Sequence, residues 1–296
     1  MQPFWPRRSP HFLACRRAVR PFDGPAVIGL SGGPDSLALA AAAAAEGKDV
    51  TCVVVDHGLQ DGSAGVGERA AGAARGFGLA AEEVRVEVGE GNVEAAARSA
   101  RYEALLAYGR DVWVAHTADD QAETLILGAL RGNPSGMAPR AGRVVRPFLG
   151  VRRADTVGAC EELGLTPWHD PMNADPAFRR VAVRTQVVPL LSKLLGGDAV
   201  PALAATAGRI AADHALIASL ADLSPTTSCE ELARDAGPVR RRRLAAWLVG
   251  EGVPVQGDQL DAVEALVADW HGQGPVAVAG GLAVVREGGR LGILRF

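Results

Sequence analysis

Residues 31–36, Ser-Gly-Gly-Pro-Asp-Ser, combine two glycines, two hydroxyls and one carboxylate in a single short segment. Glycines allow backbone with positive φ, whose N–H groups can face an anion. The hydroxyls of Ser31 and Ser36 can donate to phosphate oxygens. The segment lacks the Lys-Ser/Thr ending of a Walker loop and carries Asp35 instead, which suits a Mg²⁺ ion that bridges carboxylate and phosphate. The segment therefore predicts a phosphate cradle that uses Mg²⁺.

A second polar segment, residues 116–124, begins with His116 and contains three acids. Asp120, Glu123 and Thr124 are spaced i, i+3 and i+4, which places them on one face of a helix. Acids at a helix N-terminus can simply compensate the helix dipole. The same group suits a metal ion or the ammonium group of a substrate, and this second interpretation is favoured.

Two further segments could bring polar groups to the same region. Asp56 and His57 follow an apolar run and could lie beside an adenine or ribose; the alternative is a capping Asp and a surface His. Arg98 and Arg101 are i, i+3 partners that could present two guanidinium groups to phosphate. The alternative for this pair is a solvated helix face on which Arg98 pairs with Glu94.

In the segments that must position these residues, predicted strands alternate with predicted helices. Continuous apolar strands separated by helices indicate a parallel sheet that is covered on both faces. Such a doubly wound α/β fold binds ligands at the carboxyl ends of its strands. The predicted strands are 25–30, 50–55, 83–88 and 112–115, and the predicted helices are 37–46, 67–77, 92–108 (capped by Asn92) and 119–130.

The second half of the chain changes character. A strand at 143–148 is followed by predicted helices at 152–163, 178–195 and 200–220, with a break at Gly196-Gly197. Helices at 240–249 and 259–270 and strands at 276–279, 283–286 and 291–294 predict a small α+β domain. The predicted division is a basic segment 1–22, a catalytic domain 23–195, a helical linker 196–223 and a C-terminal domain 224–296.

Composition excludes several classes of protein. The chain has 296 residues and a net charge of −3, and its four cysteines form no C-x-x-C pair, which argues against a disulfide scaffold or a zinc ribbon. We expect no membrane span and no signal peptide, and we predict a cytoplasmic protein.

Residues 1–22 hold five arginines and no acid, and residues 131–184 hold nine arginines and five acids. Such asymmetry indicates either a face that binds a polyanion or a solvated surface.

Residues 31–36 resemble the PP-loop of the N-type ATP pyrophosphatases. Within that superfamily the chain is similar to the bacterial tRNA(Ile)-lysidine synthetases, over about residues 25–190. The loop at 132–137 is shorter than is usual in the family. The segments that carry the resemblance are 31–36, 55–59, 97–102, 116–131, 146–148 and 168–175, with Arg180 and Arg184 after them.

The resemblance implies an enzyme that uses ATP and Mg²⁺ to adenylate the wobble cytidine of a CAU anticodon in tRNA(Ile). Free L-lysine then displaces AMP, and the product is lysidine. It implies that ATP binds at Leu30, Ser31, Gly32, Gly33, Pro34, Asp35, Ser36, Asp56 and His57, with Asp35 on the metal. It implies a lysine site at Asp119, Asp120 and Glu123, with His116 orienting the activated base and Asp35, Asp120 and Glu123 also taking catalytic roles. It implies that tRNA or phosphate is bound by Arg98, Arg101, Arg131, Arg180 and Arg184, and that the enzyme is a homodimer.

Three alternatives stay open at this point. A PP-loop tRNA thiolase would use cysteine pairs, and the sequence has no C-x-x-C. An amidating ligase of the same superfamily would not need the arginine-rich stretch or the 168–175 segment. An RNA-binding module with a decayed ATP site would not need an intact 31–36 loop, and ATP turnover separates it from the enzymes.

Overall fold

The computed structural model describes residues 5–6, 8–58, 63–86, 93–170, 175–254 and 257–295. The first part of the chain alternates strands and helices, as the apolar pattern predicts. The strands are Ala26–Gly29 (β1), Val50–Asp56 (β2), Ala80–Arg85 (β3), Asp111–Trp113 (β4), Arg140–Ala141 (β5) and Val144–Val145 (β6). The helices are Pro10–Val19 (α1), Pro34–Ala45 (α2), Ser63–Gly76 (α3), Val93–Leu106 (α4), Ala118–Ala129 (α5) and Arg153–Glu162 (α6).

These strands form one sheet in the order β3-β2-β1-β4-β6-β5. All neighbours pair in parallel except β5, which is antiparallel to β6. Ala26 of β1 lies opposite Val50 of β2 on one side and Asp111 of β4 on the other. The strand order reverses between β1 and β4, and a crevice opens at such a switch point, beyond the carboxyl ends of the strands. The predicted doubly wound, mostly parallel fold is confirmed.

Helices pack on both faces of this sheet, and alternate residues of each strand point to opposite faces. Ala26 and Ile28 belong to the large core beneath α1, α2 and α6, whereas Val27 packs with Leu105 of α4 on the other face. The alanine-rich α2 is buried along most of its length. This explains why the inner strands β1 and β2 are apolar over most of their length, whereas the edge strand β3 carries charged residues.

The N-terminal segment, predicted as a basic segment that either binds a polyanion or is a solvated surface, contains a helix that packs into this core. Phe12, Cys15 and Val19 of α1 are fully buried, at the i, i+3 and i+7 spacing of one helix face. Arg16 and Arg20 both pair with Glu46, at 2.6 and 2.9 Å. Two of the arginines that gave this segment its basic charge therefore form ion pairs within the fold.

Other differences are local. β3 covers 80–85 and therefore begins three residues before the predicted strand 83–88, because Ala80 already pairs with Thr51 of β2. Residues 87 and 88 of the predicted strand lie outside the described residues. The predicted cap Asn92, and residues 171–174 of the 168–175 segment, lie outside the described residues. The short hairpin of β5 and β6 replaces the single strand predicted at 143–148.

A helical stretch follows the sheet, as predicted. Its elements are Arg179–Ala182 (α7), a π-helical turn Val183–Val187, Val188–Leu195 (α8) and Val200–Leu220 (α9). The break at Gly196 is confirmed, and its φ of 71° is a conformation that glycine adopts readily. Within the described ranges, no single helix is long and apolar enough to cross a membrane, and α7–α8 and α9 pass that test only as a bent pair.

The chain divides into two compact units, residues 1–124 with 137–208, and residues 125–136 with 209–296. The predicted limits at 22, 195 and 223 stay a prediction. The second unit contains a three-stranded antiparallel sheet, which confirms the predicted small α+β domain. Its elements are Cys229–Arg234 (α10), Gly237–Gly250 (α11), Gly257–Ala268 (α12), Val276–Val278 (β7), Leu282–Glu287 (β8) and Arg290–Arg295 (β9).

Candidate active site at the carboxyl edge of the sheet

The loop between β1 and α2 is held in shape by its own serines. The Ser36 hydroxyl accepts from the Ser31 N–H at 3.2 Å and donates to the Gly33 carbonyl at 3.0 Å. Gly32 has a φ of +80°, and a Cβ there would lie 3.3 Å from Val66. Within the described residues no side chain caps α2, so its first N–H groups can bind an anion. The loop has the geometry that a phosphate cradle needs.

A cavity of about 250 Å³ lies beside this loop, at the ends of β1 and β2. Leu30, Ser31, Asp56 and His57, all predicted to bind ATP, are among its lining residues, and so is Arg101. Burial lowers the pKa of His57, and the buried Nδ1 atom of this residue has no hydrogen-bond partner among the described residues. Apolar walls with a few polar groups are typical of a pocket for a small ligand.

Asp35 lies at the first turn of α2, on the side that faces α6. Its carboxylate accepts a short hydrogen bond from the Thr156 hydroxyl, and Arg153 Nε lies 3.8 Å from Asp35 Oδ2. Burial raises the pKa of Asp35 to about 6, although Thr156 and Arg153 act in the opposite direction. A nearby cation would favour the ionised form.

The acids predicted at the start of α5 are brought to the same edge of the sheet. Asp119 Oδ2 accepts from Arg152 Nε at 3.1 Å and from the Arg153 N–H at 2.8 Å. Asp120 Oδ2 accepts from the N–H and the hydroxyl of Thr117, both at 2.8 Å. Burial raises the pKa of Asp120, but Arg153 and the Thr117 N–H outweigh it, and the net pKa is lowered. Both aspartates are therefore held as carboxylates.

Glu123 is one turn further along α5, and its side chain is only 1% exposed. Arg153 Nη1 donates to Oε1 at 2.9 Å, Arg184 Nε donates to Oε1 at 2.7 Å, and Arg180 Nε donates to Oε2 at 2.7 Å. The structure thus places Arg180 and Arg184, which were predicted to contact tRNA or phosphate, against this carboxylate. A buried charge needs such partners because desolvation is costly.

Three more polar side chains, those of Arg98, His116 and Arg146, lie near the end of β4. Arg98 lies over the ring of Tyr102, with 5.2 Å between its Cζ and the ring centroid. Burial lowers the pKa of His116 to about 4, and Arg146 and Arg98 lower it further against the effect of Asp120. His116 Nδ1 and Arg146 Nε are buried without a hydrogen-bond partner among the described residues. His116 is therefore a neutral imidazole at physiological pH.

The structure brings together most, but not all, of the predicted site residues. Arg131 belongs to the second unit and is exposed. Four residues that hold the acids in place were not predicted from the sequence: Arg152, Arg153, Thr117 and Thr156. A signal for the two arginines was present, because positive charges at a helix N-terminus oppose the helix dipole and need acidic partners.

Comparison with known proteins identifies both units. A family model described as a PP-loop domain matches residues 17–191, and one described as a TilS substrate binding domain matches residues 228–291. A tRNA(Ile)-lysidine synthase of Corynebacterium glutamicum is 51% identical over 97% of this chain and 96% of its own length. One of Corynebacterium diphtheriae is 53% identical over 99% of this chain and all of its own length.

Among solved structures, a U34-tRNA thiolase from Methanococcus maripaludis is similar in fold alone, with a TM-score of 0.53 at 15% identity. The similarity covers 66% of this chain and 79% of the thiolase. At that identity it supports the architecture of the sheet and nothing about substrate. The two family models, and identity near one half along almost the whole sequence, place the chain in the tRNA(Ile)-lysidine synthase family.

Proposed function

We propose that the chain is an ATP-dependent ligase that attaches free L-lysine to the wobble cytidine of a CAU anticodon in tRNA(Ile). In the first step, the carbonyl oxygen at carbon 2 of the cytosine attacks the α-phosphate of ATP, and pyrophosphate leaves. In the second step, the ε-amine of lysine attacks carbon 2, and AMP leaves. The observation that carries the proposal is that the phosphate loop and the acidic end of α5 meet where β1 and β4 end, with Arg153 in contact with both.

The nucleotide would occupy the loop and the adjoining cavity. Residues 31–36 would bind the phosphates through backbone N–H groups and the two serine hydroxyls. Leu30, Asp56 and His57 would contact the adenosine, since they line the cavity next to the loop.

Asp35 fits a Mg²⁺ ion that is shared with the phosphates. Among the described residues, no group of three or more His, Cys, Asp or Glu side chains is placed to hold a metal ion. A Mg²⁺ ion usually takes one or two carboxylates together with substrate phosphates, and a single carboxylate beside the loop satisfies that need. When bound, the ion supplies charge neutralisation at the phosphates.

Asp119, Asp120 and Glu123 would form the lysine site, because a diamine at neutral pH requires carboxylates. Asp120 or Glu123 would accept a proton from the attacking amine. His116, kept neutral by burial, would orient the activated base through a ring nitrogen. Arg98 and Arg101 would neutralise phosphate charge during transfer.

The tRNA would bind through exposed arginines. Arg131 and Arg179 are exposed, whereas Arg180 and Arg184 already pair with Glu123. We propose a cytoplasmic enzyme, in keeping with a tRNA substrate and four buried free cysteines. A homodimer remains a prediction, and sedimentation velocity of the purified chain tests it.

The function is tested by lysine incorporation. The protein is incubated with ATP, Mg²⁺, labelled lysine and a tRNA(Ile) transcript with a CAU anticodon, and label in the RNA is counted. We expect label that requires ATP and disappears when the wobble cytidine is replaced by uridine. Release of AMP and pyrophosphate without label would indicate a different second substrate. The absence of any ATP turnover would favour an RNA-binding module.

A further inference from the structure

The two innermost carboxylates of the proposed lysine site already have all their acceptor positions filled. Asp120 Oδ2 takes both donors of Thr117, and its Oδ1 takes Arg153 Nη2 at 2.9 Å and Arg180 Nη2 at 3.4 Å. Glu123 Oε1 takes Arg153 and Arg184, and its Oε2 takes Arg180 and Arg184. A carboxylate offers about four acceptor sites, so neither group has one left.

An incoming ammonium group must therefore replace one of the guanidinium groups. Replacing one cation by another preserves the charge balance of the buried acids, whereas adding a fourth cation would not. The arginine that leaves needs a new anionic partner, because an unpaired buried charge is strongly unfavourable.

Arg153 is the arginine with such a partner within reach. It pairs with Asp120 and Glu123 and also approaches Asp35 of the phosphate loop, at 3.8 Å. Its side chain is 20% exposed, so part of it faces the open side of the site. Arg180 and Arg184 lie one turn apart on the opposite helical stretch and would keep Glu123 compensated after Arg153 has moved.

We propose that Arg153 is a phosphate-binding residue of the ATP site: it moves from Asp120 and Glu123 to the triphosphate and so opens the lysine site. A guanidinium forms bidentate hydrogen bonds with phosphate as well as with carboxylate, and the triphosphate carries the larger charge. Lysine then binds tightly only after the nucleotide. This inference rests on the proposed function, because it takes lysine as the occupant of the acids at the start of α5.

Calorimetric titration with L-lysine tests the proposal, with and without a non-hydrolysable ATP analogue and Mg²⁺. For the wild-type chain we expect lysine to bind at least ~10-fold more tightly when the analogue is present. By thermodynamic reciprocity, lysine should raise the affinity for the analogue by the same factor. Equal lysine affinity in both conditions overturns the proposal.

The variant Arg153→Gln removes the exchanging charge. We expect it to bind lysine with the same affinity whether or not the analogue is present. A purely structural role of Arg153 would instead weaken lysine binding equally in both conditions and leave the dependence on the analogue intact, which overturns the proposal.

Arg140→Gln is the matched control, because Arg140 is an exposed arginine that pairs with Asp111 away from the loop. In this variant, the ATP analogue should raise the affinity for lysine as much as it does in the wild-type chain. Thermal melting shows whether Arg153→Gln folds. If it does not, Arg153→Lys replaces it, because lysine keeps the positive charge but cannot form the bidentate hydrogen bonds of a guanidinium. In this variant the lysine affinity should depend less on the ATP analogue than in the wild type. If neither variant folds, the wild-type comparison alone decides.

The outcome is separable from that of the proposed function. A chain that transfers lysine to tRNA but binds lysine independently of the analogue keeps the function and overturns the role of Arg153. A chain that binds lysine only with the analogue but never transfers it to tRNA loses the proposed function. A chain that binds no lysine in either condition contradicts both.

Discussion

The carboxylates of the site differ in how deeply they are buried and in what compensates their charge. Asp119 and Asp120 are 18% and 13% exposed, whereas Glu123 is 1% exposed. Asp120 receives a backbone N–H and a hydroxyl from Thr117, so two of its four hydrogen bonds come from neutral donors. Glu123 is compensated by three guanidinium groups. The two residues should therefore respond differently to substitution.

Asp120 should be needed for lysine rather than for folding. In Asp120→Asn the side chain keeps its size and its acceptor for Thr117 but loses the charge that attracts an ammonium group. We expect the KM for lysine to rise at least ~10-fold, or turnover to be lost. Initial rates over a range of lysine concentrations measure this. Asp111→Asn, at an exposed pair with Arg140, should behave as wild type; wild-type kinetics in Asp120→Asn would contradict the assignment.

Glu123 should be needed for stability as well. Glu123→Ala would leave Arg153, Arg180 and Arg184 together without their shared anion. Removing one partner of a buried pair typically costs about 3–5 kcal/mol. Urea unfolding measures the loss, with Glu103→Ala as a control, since Glu103 is an exposed acid on α4 and should change stability by less than ~0.5 kcal/mol. Equal effects of the two substitutions would show that the cluster does not hold α5 in place.

The phosphate loop between β1 and α2 depends on one backbone conformation. Gly32 has a φ of +80°, and a Cβ there would lie 3.3 Å from Val66 and 3.4 Å from Ala70 of α3. We expect Gly32→Ala to cost about 1–2 kcal/mol of backbone strain and to weaken binding of an ATP analogue by ~10-fold or more. Calorimetric titration with the analogue and urea unfolding together separate the two effects.

A glycine on the neighbouring helix provides the contrasting control. Gly72 lies within α3, is exposed and has no atom within 4 Å of an added Cβ. Gly72→Ala should raise stability by about 1 kcal/mol because alanine favours the helix, and should leave nucleotide binding unchanged. If both substitutions affect the analogue alike, the conformation of Gly32 is not what the loop requires.

The elements that the sequence predicts well are those with one dominant signal. The alanine-rich α2 and the β-branched β2 have long apolar runs that allow a single interpretation. The helix α1 was missed because arginines interrupt its buried positions, and α10 because a six-residue helix has almost no periodic signal. A Ser-x-x-Glu capping box at Ser228 was the available sign, and the Ser228 side chain does accept from the Glu231 N–H.

The site could be predicted to a similar extent. Motif spacing located the loop and the acids, because each directly follows a strand and the ends of parallel strands meet at one edge. Spacing could not show which arginine pairs with which acid. Arg153 and Glu123 are 30 residues apart, and their contact depends on the packing of α6 beside α5. For the same reason, spacing could not show that Arg180 and Arg184 pair with Glu123; their contact with tRNA or phosphate stays a prediction.

Charge pairing within the fold limits how many arginines are available to bind RNA. The stretch 131–184 has nine arginines. Five of them form ion pairs among the described residues: Arg140, Arg152, Arg153, Arg180 and Arg184. With a net charge of −3, the chain as a whole does not attract a polyanion. We therefore expect tRNA to contact exposed arginines other than these five.

The dependence of tRNA binding on salt tests this conclusion. Each phosphate contact adds about 0.7–0.9 to the slope of log K against log salt concentration, because counterions are released. Arg131→Ala and Arg179→Ala, both at exposed positions, should each weaken binding and reduce the slope by about that amount. Arg140→Ala, whose charge Asp111 already compensates, should leave the slope unchanged. Filter binding of labelled tRNA at several salt concentrations measures the slope for the three variants. If Arg140→Ala reduced the slope as much as Arg131→Ala and Arg179→Ala, ion pairing within the fold would not decide which arginines contact tRNA.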